Sequence, residues 1–176
     1  MNIRNFQAHQ PRLAQNVFID ETAVIIGQVQ LGDDCSIWPM TTIRGDVNYI
    51  TIGQRTNIQD GSVFHVTSPS KSNPDGNPLI IGDDVTVGHR VVLHGCTIED
   101  ECLIGINSVV LDQAVVQKHV LVGANSLVPP GKILESGYLY LGSPVKQIRK
   151  LTDDEIAFFK HSAAHYVELK NKYLEI

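Results

Sequence analysis

Ile81-Gly82-Asp83-Asp84-Val85-Thr86-Val87-Gly88-His89-Arg90-Val91-Val92-Leu93-His94-Gly95-Cys96-Thr97-Ile98 carries apolar residues at Ile81, Val87 and Leu93, each six apart, with the next at Ile98 after five. Upstream the same step links Ile52, Ile58 and Phe64, and before them Ile19, Ile25, Leu31, Ile37 and Ile43. Downstream it links Ile98, Ile104, Val110, Val116, Val122 and Val128. Several of these residues are followed at once by glycine, as in Leu31-Gly32, Val87-Gly88 and Val122-Gly123. A period of six matches neither the 3.6 of a helix nor the two of a flat strand. It marks a β-solenoid of short strands and turns. Each strand is too short to bury its apolar residue alone, so stability accrues as coils stack. Three rungs close one triangular coil, and residues 17–129 therefore make about six coils.

The period breaks in places that matter. From Ile43 to Ile52 the spacing is nine, which puts three extra residues near Arg44-Gly45-Asp46. From Phe64 to Ile81 it is seventeen, and the segment Thr67–Pro78, rich in Pro, Asn, Ser and Gly, reads as a surface loop. After Pro129-Pro130-Gly131 the pattern is read as ending. The expected division is a β-helix domain with its N-terminal segment over 1–131, then an irregular connection and a C-terminal α-helix over 132–176. Thr152-Asp153-Asp154-Glu155 has the form of a capping box. Ile156, Phe159, Ala163, Tyr166 and Tyr173 follow at helical spacing, so residues 153–173 are expected to lie along the prism with an aromatic stripe inward. His161 and His165 are one helical turn apart. With no third ligand near them in sequence they read as solvated surface residues.

Composition limits the function classes. Net charge is −5 and no basic cluster exists, which argues against nucleic acid as a partner. No run of about 18 apolar residues exists, so no membrane span is expected. No apolar signal-peptide stretch opens the chain, and a cytoplasmic location is the expectation. Cys35, Cys96 and Cys102 contain no CxxC pair and are read as packing residues.

Counting rungs places the histidines. With Ile43, Phe64 and Leu93 on one rung, His65 and His94 occupy one column a single coil apart, about 4.8 Å by strand spacing. Arg44 lies in the same column one coil below His65. His89 falls two places after Val87 on another rung, directly above Asp60, with Gln59 on the same edge. His89 therefore cannot easily join the other two within one subunit. A threefold axis parallel to the prism would bring that edge against the His65–His94 corner of the next chain. Three imidazoles from two chains would then hold one metal and leave a fourth position for water, the open arrangement of a catalytic zinc site.

Arg44-Gly45-Asp46, Asn57-Ile58-Gln59-Asp60-Gly61, His65, Gly88-His89 and His94-Gly95-Cys96, in this order, resemble the γ-class carbonic anhydrases. The closest likeness is to the bacterial carbonic-anhydrase-like branch, which also has segments similar to Tyr138–Arg149 ahead of a C-terminal helix. The resemblance extends over nearly the whole chain. It implies an all-β fold, a left-handed parallel β-helix, although crossovers between parallel strands are ordinarily right-handed. It implies a homotrimer with metal ligands His65 and His94 from one subunit and His89 from its neighbour. It implies interface roles for Arg44, Asp46 and Asp60, and positions for Gln59 and Asn57 near metal-bound water. The activity implied is that of a lyase, a carbonate dehydratase, in which a metal-bound hydroxide attacks CO2 and bicarbonate departs. Zinc is the expected metal; iron(II) and cobalt also suit imidazole. Active relatives carry Glu directly after Arg-Gly-Asp and an acidic loop that shuttles protons. Here Val47-Asn48 follows and the 67–79 loop holds Asp75 as its single acid, so turnover is expected to be weak or absent without added base.

Two other readings compete. A metal-binding trimer without turnover, a scaffold or accessory protein, keeps the ligands and lacks the shuttle. A CoA-dependent acyltransferase shares the repeat but has no use for three histidines at metal spacing. Spacing also leaves open whether Tyr140 lies near the site.

Overall fold

A computed structural model of the chain describes residues 2–175. The six-residue rungs are two- and three-residue strands stacked in parallel. One face stacks Phe18–Ile19, Ser36–Ile37, Asn57–Ile58, Thr86–Val87, Leu103–Ile104, Leu121–Val122 and Tyr138–Gly142, with Val145–Lys150 added antiparallel at its end. The other two faces merge into a single twelve-stranded sheet, because Val24–Leu31 and Thr42–Ile52 run round a corner without a break. The architecture is the expected left-handed parallel β-helix with one C-terminal α-helix. Inside it, Ile25, Ile43, Phe64, Leu93 and Val110 form one fully buried column, and Ile37, Ile58, Val87, Ile104 and Val122 another. The three cysteines are buried in the same interior, and burial pushes the thiols of Cys35 and Cys102 up to about 12. They behave as small apolar side chains.

The ladder does not stop at Gly131. Ile133–Leu134 pairs with Val115–Val116, and Tyr138–Gly142 pairs with Leu121–Val122. Residues 132–150 are thus strand-forming and not an irregular connection. Leu134 and Tyr140 continue the step of six from Val128, and both are buried. Pro129 and Pro130 sit in the turn between rungs, where no ladder hydrogen bond is asked of them. At the other end Arg12–Leu13 pairs with Gln30–Leu31, six before Ile19. The face containing Asn57–Ile58 therefore has seven parallel strands, the eight of its sheet less the antiparallel one, where about six coils were expected.

The break after Ile43 is a bulge. Gly27 pairs with Gly45 and Val29 with Ile50, so Asp46–Tyr49 holds the inserted residues. The second break is a loop closed by the antiparallel bridge between Thr67 and Asn77.

The helix α1 spans Asp153–Leu174 and opens on the capping box, with Thr152 accepting from the Glu155 backbone and the Glu155 side chain accepting from the Thr152 backbone. It packs against the face that carries Asn57–Ile58 and Thr86–Val87. Phe159 and Ala163 are buried there as expected, while Tyr166 and Tyr173 pack on Trp38 with ring centroids 5.7 and 5.2 Å away. Ser162 and Lys170 join the buried side, outside the predicted stripe; the Lys170 ammonium is 3.0 Å from Asp34. No described helix is long and apolar enough to cross a membrane.

Candidate metal centre

Register brings the first two histidines together. His65 and His94 are direct partners on adjacent strands, and His65 Nδ1 lies 3.2 Å from His94 Nε2. The other nitrogen of each ring is committed to a carboxylate: His65 Nε2 to Asp46 at 2.9 Å, and His94 Nδ1 to Asp112 at 2.9 Å. Burial pushes the Asp46 carboxyl up, but hydrogen bonds from His65 and Arg44 and the Arg44 charge outweigh it and hold Asp46 below the usual range. For Asp112 burial is likewise outweighed, by hydrogen bonds from Thr67, Asn77 and His94. An ionised carboxylate only accepts, so it fixes the ring hydrogens on His65 Nε2 and His94 Nδ1. Two lone pairs then face each other across 3.2 Å. Such a pair calls for a cation between them. Two nitrogens each about 2.0–2.1 Å from one tetrahedral ion would stand roughly 3.3 Å apart, which this geometry fits.

His89 repeats the pattern on a different edge. Its Nδ1 lies 2.9 Å from Asp60 Oδ2, which leaves Nε2 free, and both side chains are nearly half exposed. Within one described chain no three His, Cys, Asp or Glu side chains converge on a point. His89 follows the Thr86–Val87 strand, which lies in a different sheet from the strands that carry His65 and His94. Arg44 reaches Asp46 and forms the outer end of a row that runs Arg44, Asp46, His65, His94, Asp112. Beside His89, Gln59 Nε2 donates to Asn57 Oδ1 at 3.1 Å, and Asn57 Nδ2 donates to Thr86 Oγ1 at 3.0 Å. Thr86 Oγ1 in turn lies 2.8 Å from Ser162 Oγ on α1. Gln59 and Asn57 are therefore tied to the helix and not to the His65–His94 corner of their own chain.

Several residues of the site escape a reading of the sequence. Asp112 is the chief one. It stands two places after Val110, which pairs with Leu93, so it stacks above Gly95 next to His94; the rung count that finds His94 would also have found it. Thr67 and Asn77, the closing pair of the loop, both bond Asp112, and Asn48 in the bulge donates to the Thr67 and Asp75 carbonyls. The loop braces the second aspartate and does not offer an acid to the histidines. Tyr140 lies elsewhere. It is three strands on from Val87, through Ile104 and Val122, where its hydroxyl accepts from the Glu135 backbone and donates to Gln147.

Known proteins resemble the chain in sequence and fold. Residues 11–45 match a family model described as bacterial transferase hexapeptide (six repeats), and residues 78–112 match one described as hexapeptide repeat of succinyl-transferase. The chain is 60% identical to Protein YrdA of Escherichia coli over 173 residues, covering 98% of this chain and 94% of that one. It is 44% identical to a protein named Carbonic anhydrase from Geobacillus kaustophilus over 168 residues, 96% of this chain and 88% of that one. Among solved structures, a hexapeptide transferase family protein from Anaplasma phagocytophilum superimposes with a TM-score of 0.90 at 37% identity, covering 97% of each chain.

Proposed function

Because the chain belongs to the γ-class carbonic-anhydrase-like family of hexapeptide-repeat proteins, we propose that it forms a homotrimer, holds a divalent metal at each subunit interface, and hydrates CO2 reversibly to bicarbonate. The ligands are His65 and His94 of one chain and His89 of the next. One observation carries the reading: each of the three imidazoles has one ring nitrogen 2.9 Å from an aspartate, Asp46, Asp112 or Asp60, which leaves the other nitrogen for a cation. Carboxylate–imidazole pairing of this kind orients metal ligands and raises their basicity. Zinc is the metal favoured by three imidazoles with an open position; iron(II) and cobalt fit the same donors. When bound, the metal lowers the pKa of water towards neutrality.

The chain's own residues do the rest. Asp46, Asp60 and Asp112 fix the imidazole tautomers. Arg44 holds Asp46 ionised at the subunit boundary. Gln59, anchored through Asn57, presents its amide to orient water or bicarbonate beside His89. Val47, Val63 and Ile106 are exposed near these groups, apolar surface that a neighbouring copy would cover.

A second reading, an accessory trimer that binds metal without turnover, is favoured by Val47 in the bulge and by Asp75, which is exposed on the loop and makes no hydrogen bond to an imidazole among the described residues. Metal analysis followed by stopped-flow CO2 hydration on the fully metallated protein decides. Hydration, with or without added imidazole, supports the enzyme. Stoichiometric metal with no hydration at any imidazole concentration supports the accessory protein. A purified protein that binds no metal would return the acyltransferase reading.

A further inference from the structure

Hydration of CO2 by water yields bicarbonate and one proton, and that proton must leave the site on every turnover. The loop that would carry it offers no acid facing the histidines. A second route is offered by a cleft that borders Gly88, next to His89. Between α1 and the strand face lies this cleft of about 590 Å³, with Gln59, Thr86 and Gly88 on one wall and His161, Ser162 and His165 on the other. Gly88 is the residue before His89, and Gln59 is the residue before Asp60, which bonds His89. Three of its lining residues, Gln59, Thr86 and Ser162, belong to the polar row Gln59, Asn57, Thr86, Ser162, while most of the remaining lining is apolar, with Leu103, Ile104, Ile106, Ala124 and Phe158. His161 and His165 are exposed at the mouth, one helical turn apart on one face.

We propose, resting on the hydration reading above, that His161 and His165 are the proton relay of this protein, taking the proton from the His89 side of the site through solvent in the cleft and passing it to bulk buffer. The step is a proton transfer alone. A lone pair on an imidazole nitrogen accepts the proton, the opposite ring nitrogen or a ring flip releases it to buffer, and the neutral ring is restored. Among the residues lining the cleft, Tyr166 is the one other titratable group, and burial and the charge of Asp60 push its phenol up, away from neutral pH. Histidine is the side chain suited to exchange protons near neutrality. The same helix that reads as a surface cap thus furnishes what the loop lacks.

The test uses the metallated trimer and the double variant His161→Gln, His165→Gln, both exposed helix positions where glutamine keeps helix propensity. Exchange of oxygen-18 between CO2 and water, followed by mass spectrometry, separates CO2–bicarbonate interconversion from release of labelled water, which waits on proton return. In weak buffer the double variant should lose at least about tenfold more in label release than in interconversion, and imidazole should restore the difference. Independently, cobalt(II) loading should shift and broaden the NMR signals of the His161 and His165 rings. Equal losses in the two rates, or ring signals indifferent to cobalt, overturn the relay while leaving hydration standing. A fully metallated wild type with no interconversion overturns hydration and the relay together.

Discussion

At the scale of single residues, the chemistry rests on where six hydrogens and lone pairs are placed. Each candidate ligand has one nitrogen committed to a carboxylate, and the partner of His94 is the best supported of the three. Asp112 receives hydrogen bonds from Thr67 and Asn77 in addition to His94, at 2.5 and 2.9 Å for the first two. Asp112→Asn keeps the shape and removes the charge that fixes the His94 tautomer. Metal affinity, measured by competition with a chelator, should fall about 10- to 100-fold while the fold persists. Unchanged affinity would show that His94 needs no such partner. A second residue-scale prediction concerns Gly27. Its φ of +79° and its position against Gly45, where an added Cβ would stand 2.3 Å from a carbonyl oxygen, leave no room for a side chain. Gly27→Ala should cost at least about 2 kcal/mol, read as a lowered denaturation midpoint. The damage should reach the metal site as well, because the Gly27–Gly45 pair launches the bulge that carries Asp46. A neutral substitution would mean the two strands can separate freely there.

At the scale of elements, what was legible followed from covalent regularity. A solenoid asks for one apolar residue per rung, so the period of six, the partnership of His65 with His94 and the separation of His89 could all be counted. The capping box at Thr152 is equally local. What escaped counting depends on elements distant in sequence. The place of Asp112 above Gly95 is countable, but its bracing by the Thr67–Asn77 loop is not, and Ser162 joins only through Thr86. The last rungs were hidden because Pro129-Pro130-Gly131 has the composition of a terminator, yet the prolines fall in a turn that tolerates them. The docking of α1 is a further case. Burial raises the Glu101 carboxyl, but hydrogen bonds from Lys118 and His119 and the charges of Lys118 and Lys160 bring it down to about 2. His119 stacks on Phe159 of α1 with centroids 6.4 Å apart, so Glu101 joins a solenoid corner to the helix. Its folded pKa lies below the ordinary 4.5. The contribution is therefore fully present above that value and lost as pH falls from about 4.5 towards 2. Glu101→Gln should lower Tm by a few degrees at pH 7, and the gap should narrow below about pH 4.5 and close only as the pH approaches 2. A gap independent of pH would show that the glutamate acts by packing and not by charge.

At the scale of the whole molecule, the proposed site is not complete within one described chain. His65 and His94 sit on one corner, His89 on another edge, and a rigid prism of stacked coils cannot bring them together by flexing. A closed ring of three is the symmetric way to pair unlike edges. The protein should therefore measure as a trimer by light scattering, with about one metal per chain. A monomer holding stoichiometric metal would contradict the placement of His89. The decisive form of this argument is complementation. His65→Ala and His89→Ala should each abolish tight metal binding, since each removes one ligand from every site. Unfolded together and refolded as mixed trimers, the two variants regain a complete site wherever a His89→Ala chain offers its intact corner to the intact His89 of a His65→Ala neighbour. With equal amounts and random assembly, about a quarter of the interfaces meet that condition. Metal analysis of the mixture should recover close to that fraction, and each variant refolded alone should recover none. If mixed trimers are verified by mass and hold no more metal than the separate variants, the three ligands do not come from two chains, and the proposed centre fails at its geometry whatever the protein's activity.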